Sequence, residues 1–308
     1  MRSLSTARVL LIALGVIVVA SFLPLWVTGY ILGLLTIAYY FGVFAMAWDL
    51  LFGFAGEVNF GPTFLIGTGG YTAGILDSLY QPPIWICLVA GALAAVTGGV
   101  VLALPALRVR GPYFGLTTLV AVLILQNFVV VAAGLTGGEI GLTVPDVISI
   151  SDTTNYEIAL WFMAVSGAIL FSLSRSPVGL ILQASGQDAV QAGALGFNVT
   201  KHKLAAFIIS AFFSGLAGAL LVFYLSTASV GTLVDITVGV QIIIAAVLGG
   251  RRTILGGVLG AIFLIAMSEV LRPLGDLSNF VVFAMALIVV LLFPGGFFGL
   301  LTGTKESG

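Results

Sequence analysis

The chain has 308 residues, 60% of them hydrophobic and only 7% charged, with a formal net charge of −1 and a mean hydropathy of +1.23. That balance excludes a water-soluble globular fold, and with no basic stripe to neutralise phosphates it excludes nucleic acid as a partner. A single cysteine, Cys87, and a single histidine, His202, exclude an internal disulfide and a Cys/His metal cluster, and no cofactor is expected.

The predicted elements are about ten apolar runs, each able to cross a hydrocarbon layer of roughly 30 Å as a helix, the shortest only with local thinning or a broken path. The first, Val9–Thr28, follows Arg2 and Arg8 and has the outline of a secretory signal. It is long for that role and only Val18-Val19-Ala20 resembles a cleavage site, so a retained first helix is expected. Tyr30–Leu51 comes next, and then Gly53-Phe-Ala-Gly56-Glu57-Val-Asn59-Phe-Gly61-Pro62 interrupts the path before the run Gly56–Leu76 is complete. A helix there is broken or enters part way, which is tolerated at membrane depth only against protein or a watery cavity.

Ile84–Leu104 carries Cys87, read as a small buried hydrophobe, and Pro112–Ala133 carries the polar mid-span pair Gln126 and Asn127. The stretch 134–156 is a polar connection with acids and no base. After Glu157–Ser174 a second long connection, 175–203, contains Ser185 and Asp188 in the spacing of a capping box and Gly196 placed as a stop. A short helix from about Asp188 to Leu195 is expected, with a bare face of small residues. It either docks into another protein's groove or is an ordinary connection. His202 has no acid or cysteine beside it, so neither a metal nor a catalytic role is expected.

Leu204–Leu225 contains Ser210-x-x-x-Ser214-x-x-x-Gly218, a small-residue stripe for close helix packing. Thr237–Gly250, with Gln241, and Ile254–Leu271 flank a second glycine cluster, Gly249-Gly250 to Gly256-Gly257 and Gly260, and Asn279–Phe293 ends the series. Glycine-interrupted segments in both halves are the pattern of transport folds with a pathway near the breaks, while Gly70-x-x-x-Gly74 and Gly256-x-x-x-Gly260 also fit simple close packing. Gln126, Asn127 and Gln241 either line a pathway or bond a neighbouring helix.

Charge sets the orientation. If Arg2 and Arg8 are inside, alternate crossing places Arg108, Arg110, Arg175, Lys201, Lys203, Arg251, Arg252 and Lys305 inside as well, leaving only Arg272 outside with Asp77, Glu139, Asp146, Asp152, Asp235 and Asp276. Both termini are therefore expected in the cytoplasm. Glu269 and Arg272, three residues apart, are expected to form a local ion pair. The sequence has no Gly-Lys dipeptide and so no Walker A loop, and Asp49, Glu57 and Glu269 fall toward span ends, without the mid-membrane carboxylates usual for ion-coupled carriers. No nucleophile with its base lies within the spans, so no enzymatic activity is expected.

Four segments in this order resemble a known family: Gly53 to Gly61 with Gly67-Thr-Gly-Gly-Tyr-Thr-Ala73, Leu107-Arg-Val-Arg-Gly-Pro-Tyr-Phe-Gly-Leu-Thr-Thr118, Thr136-Gly-Gly-Glu-Ile-Gly-Leu142, and Ala194-Leu-Gly-Phe-Asn-Val-Thr-Lys-His-Lys-Leu204. They are similar to the membrane subunits of bacterial branched-chain amino acid ABC importers, the LivM-type permease, over about Leu50 to Phe293. The resemblance implies an all-α polytopic permease in a bacterial-type cytoplasmic (inner) membrane, one transmembrane domain over residues 1–308. Its partners would be a LivH-like second permease, two cytoplasmic ABC ATPases and an extracytoplasmic solute-binding protein. It also implies an ATPase-coupling element formed by Gln187, Asp188, Ala189, Ala192, Gly193, Ala194, Leu195 and Gly196. Family members commonly carry a basic residue and an acid around Gly186 and Ala189; here only Asp188 is charged. Gly53, Gly56, Glu57, Asn59 and Gly61, with Gln126, Asn127 and Gln241, are the expected pathway or gate. An apolar lining suits Leu, Ile or Val, while similar proteins move urea, short amides or other amino acids.

Overall fold

The computed structural model describes residues 6–27, 29–107, 112–275 and 277–292. Arg2, Arg108, Arg110, Asp276 and Lys305 lie outside the described residues, as do parts of the Leu107–Thr118 motif and the last span. The described chain is a set of helices with one short two-stranded pairing. In order they are α1 Thr6–Ser21, α2 Tyr30–Asp49, α3 Pro62–Tyr80, α4 Ile84–Ala106, α5 Pro112–Val131, α6 Ala133–Thr136, α7 Asp152–Arg175, α8 Pro177–Gln187, α9 Ala189–Ala194, α10 Val199–Leu225, α11 Val230–Leu233, α12 Ile236–Gly249, α13 Gly256–Leu271 and α14 Leu277–Leu292. Each of the ten expected apolar runs holds a helix among the described residues, and eight stretches are long and apolar enough to cross a membrane unaided. The glycine-rich α3 and the 16 described residues of α14 are outside that eight. The molecule is a multi-pass membrane protein.

Glycine decides how closely the central helices approach. A Cβ on Gly69 would press on the Gly215 backbone of α10, one on Gly91 would meet the Gly69 carbonyl at 2.6 Å, and one on Gly215 would collide with Ala95 of α4. Thus α3, α4 and α10 touch backbone to backbone, where dispersion and packing replace the hydrophobic effect as the cohesive force. The serine stripe of α10 packs as expected: Ser210 is buried and donates to the Ala47 carbonyl of α2 at 2.8 Å. Cys87 is buried, and Tyr39 and Tyr156 join α2 to α7 through their hydroxyls at 3.0 Å.

Helix directions alternate so that Arg175, Lys201, Lys203, Arg251 and Arg252 gather at one end, here the basic end, where Lys203 meets Glu57 and Arg252 meets Gly53. Asp77, Glu139, Asp146, Asp152, Asp235 and Arg272 lie at the other. There the 134–156 connection is ordered, with strand β1 Leu142–Thr143 antiparallel to β2 Thr227–Ala228 and the Asp146 amide donating to Asp77 at 3.1 Å. Glu269 and Arg272 pair at 3.4 Å as expected, and Arg272 also donates to the Tyr30 hydroxyl at 2.8 Å.

Of the two readings of the second glycine cluster, close packing holds: Gly249 and Gly256 touch backbone to backbone and Gly260 fits against the Ala245 carbonyl, so the cluster closes the α12–α13 hairpin. The second interruption is residues 226–235, which dip from the acidic end so that buried Leu233 and Val234 reach Gly70 and Gly67 of α3. Connection 175–203 holds two helices rather than one. Ser176 caps α8, its hydroxyl accepting from Gly179 N–H with Pro177 in the first turn, and Ser185 is buried inside α8 with no hydrogen-bond partner among the described residues. The Ser185–Asp188 capping box therefore does not form.

Candidate functional site

The sequence-predicted residues from Gly53 to Gly61 form one continuous irregular segment between α2 and α3. The last turn of α2 widens into a π-helical turn, Leu50–Phe54, closed by Ala55 N–H on the Leu50 carbonyl at 3.3 Å. Gly56 then takes φ +72°, a left-handed conformation natural to glycine. The chain continues without regular structure until Gly61 lies against Thr118, six residues into α5. That is roughly 9 Å along the helix from its first described residue, so the irregular backbone reaches into the helical bundle.

Such backbone is tolerated because protein groups satisfy it. The Trp48 indole donates to the Asn59 carbonyl at 2.6 Å, Gly61 N–H donates to Asn59 Oδ1 at 2.8 Å, and Phe60 N–H donates to Thr118 Oγ1 at 3.0 Å. Asn59 is buried and works as a backbone mimic. Glu57 accepts from Lys203 of α10 at 2.6 Å, with the two side chains only 18% and 12% exposed.

The end of α8, which leads into the residues expected to couple to an ATPase, sits directly on this segment. A Cβ on Gly56 would meet the Gly186 Cα and carbonyl oxygen at 2.8 Å, and a Cβ on Gly186 would meet the Phe54 carbonyl at 2.7 Å. Gln187, next along α8, is exposed, and Asp188 is the cap of α9, accepting from Val190 and Gln191 N–H at 2.9 Å each. Gly196 stops the element at φ +91°. The exposed side is not made of small residues alone. Ala189, Gly193 and Ala194 share it with Val190 and Leu195, 73% and 75% exposed, whereas Ala192 is buried. Helical spacing turns Ala192 inward and leaves the larger apolar side chains outward.

The remaining predicted residues stand apart from the break. Asn127 is exposed on α5 and donates to the Leu123 carbonyl of its own helix at 2.8 Å. Gln126 on α5 and Gln241 on α12 are half-buried, and their side chains form no hydrogen bond among the described residues. Neither therefore bonds a neighbouring helix among the described residues. Gly239, two residues before Gln241, lies against Thr63, whose buried hydroxyl is also without a partner.

Sequence reasoning missed Asp49. It is 2% exposed at the end of α2, and accepts from Arg252 N–H at 3.0 Å and Ile254 N–H at 2.9 Å. An acid one turn before Gly53 inside an apolar run was the available signal. Among the described residues no group of three or more His, Cys, Asp or Glu side chains is placed to hold a metal ion.

Comparison with known proteins agrees with this architecture. Residues 30–292 match the family model described as the permease component of branched-chain amino acid transport systems. The high-affinity branched-chain amino acid transport system permease protein LivM of Salmonella typhimurium (strain LT2) is 24% identical over 326 aligned positions, covering 95% of this chain and 75% of the relative. LivH of Escherichia coli (strain K12) is 24% identical, covering 84% of this chain and 91% of the relative, and the ribose import permease RbsC of Haemophilus influenzae is 28% identical over 43% of each. With the family model spanning most of its helices, the chain belongs to the branched-chain amino acid transport system permease family.

Proposed function

We propose that this protein is the membrane-spanning permease of an ATP-driven importer, with Leu, Ile or Val as solute. It forms the pathway with a second, LivH-like permease and receives solute from an extracytoplasmic binding protein. Two cytoplasmic ATPases hydrolyse the nucleotide and grip α9. The chain is one transmembrane domain, with the basic end and both termini in the cytoplasm, the 134–156 connection outside and the 175–203 connection inside. Relatives named for branched-chain amino acid transport support the solute class, and an apolar pathway suits such side chains.

The observation that carries the mechanism is the backbone contact of Gly56 with Gly186, which seats the end of α8, two residues before α9 begins, on the break between α2 and α3. A push on α9 reaches α8 and then the irregular segment without passing through a flexible side chain. Gly53, Gly56 and Gly61 absorb the change in backbone direction, and Glu57 and Asn59 hold the segment in each state. Gln126, Asn127 and Gln241 present their amides toward the pathway or the second permease.

Ala192→Pro removes the N–H that bonds the Asp188 carbonyl at 3.0 Å and breaks α9. Val190→Asp instead charges its exposed face and leaves the helix intact. In proteoliposomes both variants are expected to insert normally, lose copurifying ATPase, and take up leucine about fivefold more slowly or worse, the low end of coupling between sites. Normal leucine uptake with either variant contradicts the proposal. Uptake that needs an ion gradient and no nucleotide assigns the chain to secondary carriers instead.

A further inference from the structure

The basic end contains a buried carboxylate that the docking of a partner does not explain. Asp49 closes α2, and its two oxygens bond the backbone of the α12–α13 turn, more than 200 residues away: Oδ1 to Arg252 N–H at 3.0 Å and Oδ2 to Ile254 N–H at 2.9 Å. The turn answers with Arg252 Nε donating to the Gly53 carbonyl at 2.8 Å. Gly53 has to be glycine, because a Cβ there would strike Asp49 Oδ1 and come within 2.9 Å of the Arg252 nitrogen. Arg252 and Ile254 are both held at positive φ, 64° and 55°, where side-chain-bearing residues are strained. A strained turn persists only where its surroundings over-determine it, and here the carboxylate supplies the determination.

The break between α2 and α3 is thus gripped from three sides. Gly186 of α8 presses on Gly56, Lys203 of α10 bonds Glu57, and the α12–α13 turn is tied through Asp49 and Gly53. The last of these matters for movement because α12 packs Gly239 against Thr63 near the start of α3. The helices leaving the two interruptions, α3 after 50–61 and α12 after 226–235, therefore face one another.

We propose that Asp49 is a positioning residue for transport: it fastens the α12–α13 turn to the α2–α3 break, so that displacement of α8 and α9 moves α3 and α12 as one body. The inference rests on the importer reading. Without the fastening, α8 would still push the break, but α12 would not follow and half of the gate would stay in place.

Asp49→Asn tests this in the assembled transporter, with its second permease and ATPases in proteoliposomes and leucine as the probe. An amide keeps the shape but opposes an N–H donor with its own NH2 group, so at least one of the two backbone bonds is lost. Leucine moved per ATP hydrolysed is expected to fall about fivefold or more, while ATP hydrolysis per assembled complex stays near wild type. Amides of residues 250–255 are expected to exchange hydrogen faster in the variant. A parallel loss of uptake and hydrolysis, or an unchanged ratio of the two, overturns the inference. If Asp49→Asn does not assemble, Arg252→Ala removes only the bond to the Gly53 carbonyl and leaves the carboxylate in place; it is expected to lower the same ratio, and an unchanged ratio overturns the inference. A wild-type complex that takes up no leucine with ATP overturns the importer reading, and the inference with it; a working wild type with a variant of unchanged ratio overturns the inference alone.

Discussion

Glu57 and Lys203 show how single residues hold an irregular backbone inside a membrane protein. Their 2.6 Å ion pair is mostly buried, so removing either partner leaves the other charge uncompensated. Single removal from a buried pair costs about 3 kcal/mol or more, while replacing both with neutral side chains is far milder. Glu57→Gln and Lys203→Met are each expected to lower the unfolding temperature in detergent more than the double variant does. A double variant as unstable as the sum of the two singles would show that the pair is not what holds the break. Asn59, by contrast, carries no charge and acts by satisfying Gly61 N–H with its side chain and Trp48 with its carbonyl. The sequence made Glu57 and Asn59 conspicuous as polar residues among apolar ones. It could not show that Glu57 answers Lys203, since 146 positions separate them and no local pattern encodes the pairing. Asp49 was equally visible as an acid in an apolar run, but its partners are backbone N–H groups, which every residue type except proline offers.

Among elements, the junction of α3, α4 and α10 depends on the absence of side chains. Gly215 faces Ala95 so closely that any Cβ collides, so Gly215→Leu must push α10 away from α4. Overpacking of this kind costs typically about 1–3 kcal/mol, and the backbone contact makes the upper part of that range the expectation. Gly134→Ala is the control, because its Cβ would enter open space and Gly134 stands in the short α6. A clear drop in unfolding temperature for Gly215→Leu and none for Gly134→Ala is expected; equal effects would contradict the packing argument. Apolar length and glycine clusters in the sequence were enough to locate the ten long helices and the first break. For the second cluster they left a break and close packing both open. Gly249, Gly256 and Gly260 carry the same composition as a broken helix but are used for hairpin closure, while 226–235 is interrupted by tertiary contact of Leu233 and Val234 with α3. In the same way Ser176-Pro177 signalled α8 by its capping chemistry, and the more prominent Ser185-x-x-Asp188 spacing masked it.

At the scale of the whole molecule, two interruptions enter the helical bundle from opposite ends, and α3 and α12, the helices that follow them, pack on one another at Thr63 and Gly239. The basic end holds the first interruption together with the α8–α9 element, so a force applied there acts where the backbone is least regular. Charge sorting was legible from sequence because alternate crossing is a counting argument, and Arg175, Lys201, Lys203, Arg251 and Arg252 gather at one end of the bundle with Arg272 at the other. The apolar outward face of α9 was not, since it depends on which side of a two-turn helix meets α8. The account stands on that face being presented to the cytoplasm and covered by a partner. Val190→Cys places a thiol on it, with Cys87 buried and out of reach. A membrane-impermeant maleimide is expected to label this cysteine in inside-out vesicles, and added ATPase subunits are expected to block the labelling. Labelling of intact spheroplasts from the outside, with no protection by the ATPases, would contradict the account.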